Sequence, residues 1–147
     1  MTLFFPTSRI SLYEDILTDP VRGVALVIRE VIRFRDLDPE MAAITVREIV
    51  TQSPRGEQLK EHTVPLWQRL RQMLEEGRKK GFFHYESAEL ATMFVMGAVL
   101  FPAESAVTRA LLSGTTIPTD VKVAEITRFV FSGLGAPDLI PVKIESD

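Results

Sequence analysis

The sequence contains no cysteine and only two histidines in 147 residues. The lack of cysteine excludes disulfides, thiolate metal sites and cysteine nucleophiles. No carboxylate is spaced to form a metal site or an acid–base pair with His62 or His84, so each is expected at a surface or a helix end. No glycine-rich phosphate loop or serine elbow is present, and Gly133 and Gly135 are explained by a helix end. We therefore expect neither an enzyme nor a cofactor.

The sequence also lacks an excess of positive charge and a long hydrophobic run. Its 17 Lys and Arg residues are outnumbered by 20 Asp and Glu, which disfavours nucleic-acid binding by this chain alone. The most apolar stretch, LATMFVMGAVLFPAE, runs unbroken only from Leu90 to Pro102, short of the roughly 18 residues of a membrane span. The first residues lack the basic flank and long apolar run of a secretory signal. These features predict a cytoplasmic protein with no membrane partner.

Apolar residues make up 46% and charged residues 25%, as in a globular protein of about one domain. The dipeptides Asp19-Pro20, Asp38-Pro39 and Ser53-Pro54 each place an N-cap residue before a proline, which predicts three helix starts. Further apolar periodicity predicts helices over about 87–113 and 118–134, and no useful strand alternation is present. Two prolines interrupt this pattern: Pro65 predicts a kink or break near 61–65, and Pro102 a bend. The predicted fold is an all-α antiparallel bundle of about six helices.

Several residues on the predicted helical faces are candidates for lining a ligand pocket. Trp67 is the only tryptophan, and the methionines Met41, Met73 and Met93 can fill an adaptable pocket, although core packing explains each equally well. Arg47 and Glu48 lie beside apolar positions, so one or both could face a ligand, the alternative being a surface ion pair. The full candidate set is Val24, Ile28, Val31, Met41, Ile44, Arg47, Trp67, Leu70, Met73 and Met93.

The helix order resembles the C-terminal regulatory domain of TetR-family transcriptional regulators. The likeness runs from about residue 20 to 134 and includes an "RE" helix, a long helix ending in EEGRKKG, and a helix that opens with ESAELA and becomes strongly apolar. LFFPTSRISLYEDIL resembles the end of the family's DNA-binding domain, with one extra residue between Pro6 and Leu12. The resemblance implies that residues 1–19 are a remnant of that domain's exit and linking helix. Residues 20–135 would then bind ligand and dimerise, and residues 136–147 would form a loosely attached tail.

The resemblance also implies a function. A small, mostly apolar effector would bind between the helices and move the linking helix, and DNA would be bound only through a helix-turn-helix domain expected upstream of residue 1. Two subunits would pair through the last two long helices. The residues that suit this homodimer interface are Phe94, Ala98, Phe101, Ser105, Leu112, Ile126, Phe129, Val130 and Gly133. A stand-alone helical homodimer or interaction protein, and a small helical enzyme or carrier, remain alternatives.

Overall fold

The computed structural model describes residues 13–51, 54–101 and 106–145, with the backbone alone at 54–60 and 62. These residues form seven α-helices and no strand, which confirms the all-α class. The helices are α1 (Glu14–Leu17), α2 (Pro20–Leu37), α3 (Pro39–Val50), α4 (Pro54–Lys79), α5 (Ala88–Leu100), α6 (Ala106–Leu112) and α7 (Thr119–Gly133), followed by a 3-10 turn over Pro137–Leu139.

Helices α2 and α3 begin where the Asp-Pro dipeptides predict. The Asp19 carboxylate accepts hydrogen bonds from the backbone N–H groups of Val21 and Arg22, at 3.0 and 3.3 Å. The Asp38 carboxylate accepts one from Met41 at 3.1 Å. Each proline occupies a first-turn position, where its missing N–H would have had no intrahelical partner. Ser53 lies outside the described residues.

Helix α2 is the centre of the domain, because α1, α3, α4, α5 and α7 all pack against it. Charged residues usually lie at the surface, but the side chains of Arg29 and Glu30 on this helix are buried. They are paired, with Arg29 Nη2 3.0 Å from Glu30 Oε1. Buried charge is tolerated here because the two side chains satisfy each other. A helix surrounded on this many sides must bury residues that an amphipathic pattern places at the surface.

Helix α4 passes through Pro65 as one helix, so the break expected near 61–65 is absent. The Pro65 side chain is exposed, while Leu66, Leu70 and Leu74 are buried against the domain. A proline on the solvent side disturbs only the outer hydrogen bonds of a helix, where water can replace the lost partner. Gly81 ends this region in the predicted left-handed conformation, with φ of +79°.

The apolar stretch forms a shorter helix than the bent one expected over about 87–113. Ser87 caps α5 by accepting a hydrogen bond from the Leu90 N–H at 3.2 Å. The helix ends at Leu100, and Phe101 adopts an extended conformation (φ −61°, ψ 122°). A residue that precedes a proline is disfavoured in helical geometry, so Pro102 ends the helix. A separate helix, α6, begins at Ala106.

The C-terminal segment packs on the domain through residue 145, contrary to the expected loose attachment. Gly135 turns the chain with φ of +67°, and the Ala136 N–H donates to Phe131 O at 2.8 Å. Ile140 and Ile144 then pack against the core. Arg22 Nε donates to Ile144 O at 2.8 Å, which fixes the segment to α2.

Candidate dimer surface and ligand-binding residues

Six of the ten predicted ligand-binding residues lie together in the hydrophobic core. They come from α2 and α4, which pack against each other, and all are buried: Val24, Ile28, Val31, Trp67, Leu70 and Met73. The two helices approach closely, since a methyl group placed on Gly23 would lie 2.2 Å from Met73 Sδ. The helical faces predicted from the sequence therefore bring these six residues together in a closely packed interior.

The other four predicted residues come from α3 and α5 and do not join this cluster. Met41 is half-buried, and Ile44 is slightly more exposed. Arg47 is exposed, so it does not face a pocket in the interior. Met93 is 61% exposed on the outer side of α5. Arg47 and Met93 therefore do not face the interior in the arrangement observed.

Helix α3 presents a polar face to the domain. Its buried residues are Ala42, Thr45 and Glu48, three positions apart. The Thr45 hydroxyl donates to Met41 O at 2.9 Å, so the helix itself satisfies it. Glu48, rather than its neighbour Arg47, takes the inward position. The sequence carries no signal for the inward position of Thr45, because the apolar residues of α3 predict a different inner face.

Large apolar side chains are exposed along one stripe of α5. Leu90, Met93, Phe94 and Phe101 all lie on its outer side, with Phe94 71% and Phe101 66% exposed. Gly97 lies in the same stripe and is also exposed. Spacings of three and four residues place Leu90, Met93, Phe94 and Gly97 on one face of α5, and Phe101 follows the last residue of the helix. We call Leu90, Met93, Phe94, Gly97 and Phe101 the α5 stripe.

Helices α6 and α7 add exposed apolar residues. Phe129 on α7 is 81% exposed, and α7 contacts α5 directly. On α6, Val107 and Leu111 are exposed. A methyl group on Gly133 would have no neighbour within 4 Å, so this end of α7 is open.

The remaining predicted dimer residues differ in position. Ala98, Leu112 and Ile126 are half-buried, and Ser105 lies outside the described residues. Val130 is buried in the protomer's own core, so it cannot contribute a free side chain to a partner. Val130 and Phe129 are adjacent in a helix, so their side chains project about 100° apart, and only Phe129 faces outward.

A cleft lies between α2, α7 and the C-terminal segment, with a volume of about 740 Å³. Arg29 Nη2 is 2.6 Å from Glu145 Oε1 at this cleft. That hydrogen bond lowers the pKa of the Glu145 carboxyl below its ordinary value. Burial alone would lower the pKa of Arg29, but its bonds to Glu145 and Glu30 outweigh burial and raise it. Sequence patterns carry no signal for the pairing of Arg29 with Glu145, because the two residues are more than a hundred positions apart.

Within residues 13–51, 54–101 and 106–145, no three His, Asp or Glu side chains are grouped to hold a metal ion. No helix in the same part of the chain is long and apolar enough to cross a membrane. Comparisons with models of protein families, with curated proteins and with solved structures return no match.

Proposed function

We propose that this chain is the regulatory domain of a TetR-type transcriptional repressor. It forms a homodimer through the α5 stripe and α7, and binds a small, mostly apolar molecule between α2, α3 and α4. Effector binding is relayed to a DNA-binding domain outside this chain. The observation that carries the proposal is the exposure of Phe94, Phe101 and Phe129 on two helices that contact each other.

The exposed aromatic side chains supply a large part of the area that a dimer interface needs. An aromatic side chain buries roughly 150–250 Å². At the observed exposures, Phe94, Phe101 and Phe129 together present roughly 330–550 Å². A standard interface buries about 800 Å² per partner. The exposed residues Leu90 and Met93 of the α5 stripe supply further apolar area towards that value.

A second copy of the chain is the partner that this surface fits best. The α5 stripe contains no charged residue, so it does not select a partner of opposite charge. Two-fold pairing places the same apolar stripe on both sides of the interface, which is self-complementary. Gly97 within the stripe allows the two backbones to approach closely.

The proposed effector site uses the cluster on α2 and α4 as its apolar wall. Trp67 is buried there, and the inward Thr45 and Glu48 of α3 supply polar groups at the edge of the same three-helix region. Small-molecule sites combine a mainly apolar lining with a few polar groups that fix orientation. Because Val24, Ile28 and Leu70 are fully buried, the effector has to separate these helices as it enters.

The packed interior favours a second candidate function, a stand-alone homodimer that has lost effector sensing and DNA binding. The two candidates share the dimer surface and differ in whether Trp67 responds to small molecules. Trp67 is the only tryptophan, so tryptophan emission reports on this region alone. If the domain senses an effector, at least one compound in a panel of apolar molecules should change Trp67 emission with a saturable dose response. The same compound should raise the Tm. Unchanged emission across the panel favours the stand-alone homodimer.

Sedimentation at micromolar concentration tests the dimer. The chain has a mass of 16.5 kDa, and we expect a species of twice that mass. Phe129→Asp places a charge in the proposed interface and should yield monomers, because burying an unpaired carboxylate is costly. Gln68→Asp adds the same charge on the exposed side of α4 and should leave the dimer intact. A 16.5 kDa species throughout the concentration range contradicts the proposal.

A further inference from the structure

We propose that the cleft beside the C-terminal segment binds a small carboxylate with an apolar body, and that Glu145 occupies the carboxylate position of this site. The inference is independent of the effector site proposed between α2, α3 and α4. The cleft lies on the other side of α2, where α7 and the C-terminal segment pack.

Most of the cleft wall is apolar. Ala25 on α2, Val123 and Ala124 on α7, and Ile140 and Ile144 of the C-terminal segment line it. Its volume of about 740 Å³ falls within the roughly 300–1,000 Å³ of small-molecule sites. The site therefore suits the body of an aliphatic molecule better than a fully polar metabolite.

Two guanidinium groups line the cleft, together with the charged residues Asp120 and Lys143. Arg29 is buried, and Arg33 is about half-exposed at the rim. Glu30 Oε1 lies 3.0 Å from Arg29 Nη2 and 3.6 Å from Arg33 Nη1. One carboxylate on α2 thus faces two arginines, and Glu145 supplies the second carboxylate from the C-terminal segment. Guanidinium groups bind carboxylates through strong charge-assisted hydrogen bonds. The recognised group is therefore a carboxylate.

Thr127 is an independent sign that the cleft takes a polar group. Its side chain is more than nine-tenths buried and lines the cleft from α7. Within the described part of the chain, its hydroxyl has no hydrogen-bond partner. Buried hydroxyls nearly always have a partner, because an unsatisfied one is destabilising. A ligand carboxylate bound in the cleft can supply the acceptor that this hydroxyl lacks.

Glu145 is placed to compete with the ligand carboxylate for Arg29. Its side chain is about half-exposed, while Arg29, its partner, is buried. A carboxylate from solution can replace it without creating a new charge in the core, because the number of charges at Arg29 stays the same. The apparent affinity for the ligand is then reduced, because the ligand can bind only to those molecules in which Glu145 has left Arg29.

Octanoate is a suitable probe, with 1-octanol and octylamine as matched neutral and cationic compounds. Two-dimensional NMR of the full chain should show octanoate shifts at Thr127, Val123 and Ile144. Glu145→Gln removes the competing charge and should tighten octanoate binding by up to about fivefold, the range of a half-exposed ion pair. Arg33→Gln should weaken octanoate binding by a similar factor. Arg128→Gln, on an exposed position of α7, should change nothing.

The outcomes separate this proposal from the proposed function. Octanoate shifts centred on Trp67 and Leu70 would place the ligand in the interior and overturn the cleft site. Equal affinity in Glu145→Gln and the unmodified chain would overturn the competition. Equal binding of 1-octanol and octanoate would overturn carboxylate recognition. None of these results affects the dimer or the response of Trp67 to other apolar compounds.

Discussion

Arg35 holds the end of α5 in place, and its replacement by methionine gives a sharp test of how this domain is assembled. Arg35 Nη1 donates to Val99 O at 2.9 Å and to Phe101 O at 2.7 Å. These carbonyls lie at the C-terminal end of α5, where backbone C=O groups have no intrahelical partner and the helix macrodipole has its negative end. A buried cation from α2 therefore satisfies the helix end that Pro102 creates.

The expected cost follows from these two bonds. Hydrogen bonds to a charged group contribute about 1.5–3 kcal/mol each, so removing both costs about 3–6 kcal/mol. Methionine offsets part of this free-energy cost, because the chain no longer has to bury a guanidinium. The same burial lowers the pKa of Arg35. We take that recovery as about 1–3 kcal/mol, so the net destabilisation lies within about 0–5 kcal/mol and centres on about 2.5 kcal/mol. For a chain of this size, that corresponds to a Tm lower by about 5–10 °C.

Urea unfolding at fixed protein concentration measures the effect, with the m-value checked for constancy. Arg33→Met is the matched control, since Arg33 is half-exposed and its 3.6 Å ion pair is worth under about 1 kcal/mol. Hydrogen exchange should localise the loss to the last turn of α5. If Arg35→Met unfolds no more readily than Arg33→Met, the capping role of Arg35 is refuted.

The helix boundaries could be predicted because their determinants are local. An Asp followed by Pro caps and starts a helix within four residues, and both described examples behave so. The left-handed Gly81 likewise follows from its position after a basic last turn. The outward residues Phe94, Phe101 and Phe129 were also identified, from helical periodicity together with the family resemblance.

The inner face of α3 and the attachment of the C-terminal segment depend on partners that local patterns do not contain. An amphipathic pattern predicts Ile44 inside α3, but Thr45 and Glu48 are inside instead, and Ile49 and Val50 are exposed. The prolines of the C-terminal segment and its acidic end predict loose attachment. Arg22 and Arg29 attach it from the far end of the chain. Single-sequence periodicity carries no information on such long-range pairs.

Two further predictions concern the close contact at Gly77 and the pH dependence of the Glu145 ion pair. Gly77→Ala should destabilise the domain by about 1–2 kcal/mol, because the new methyl would lie 2.2 Å from the Phe83 ring. The control is Gly97→Ala, whose new methyl has no neighbour within 4 Å and which should be neutral or stabilising. Urea unfolding of both variants in the Phe129→Asp background measures the difference. Equal effects of the two substitutions on stability would refute the close packing of Gly77 against Phe83. For Glu145, the lowered pKa means that its ion pair with Arg29 stabilises the docked segment fully above the unfolded pKa of about 4.3. That stabilisation is lost as the pH falls through the folded pKa, and it is under about 1 kcal/mol because Glu145 is half-exposed. The Ile144 methyl resonance should therefore shift in acid for the unmodified chain and stay constant in Glu145→Gln; identical pH curves would show that another group releases the segment.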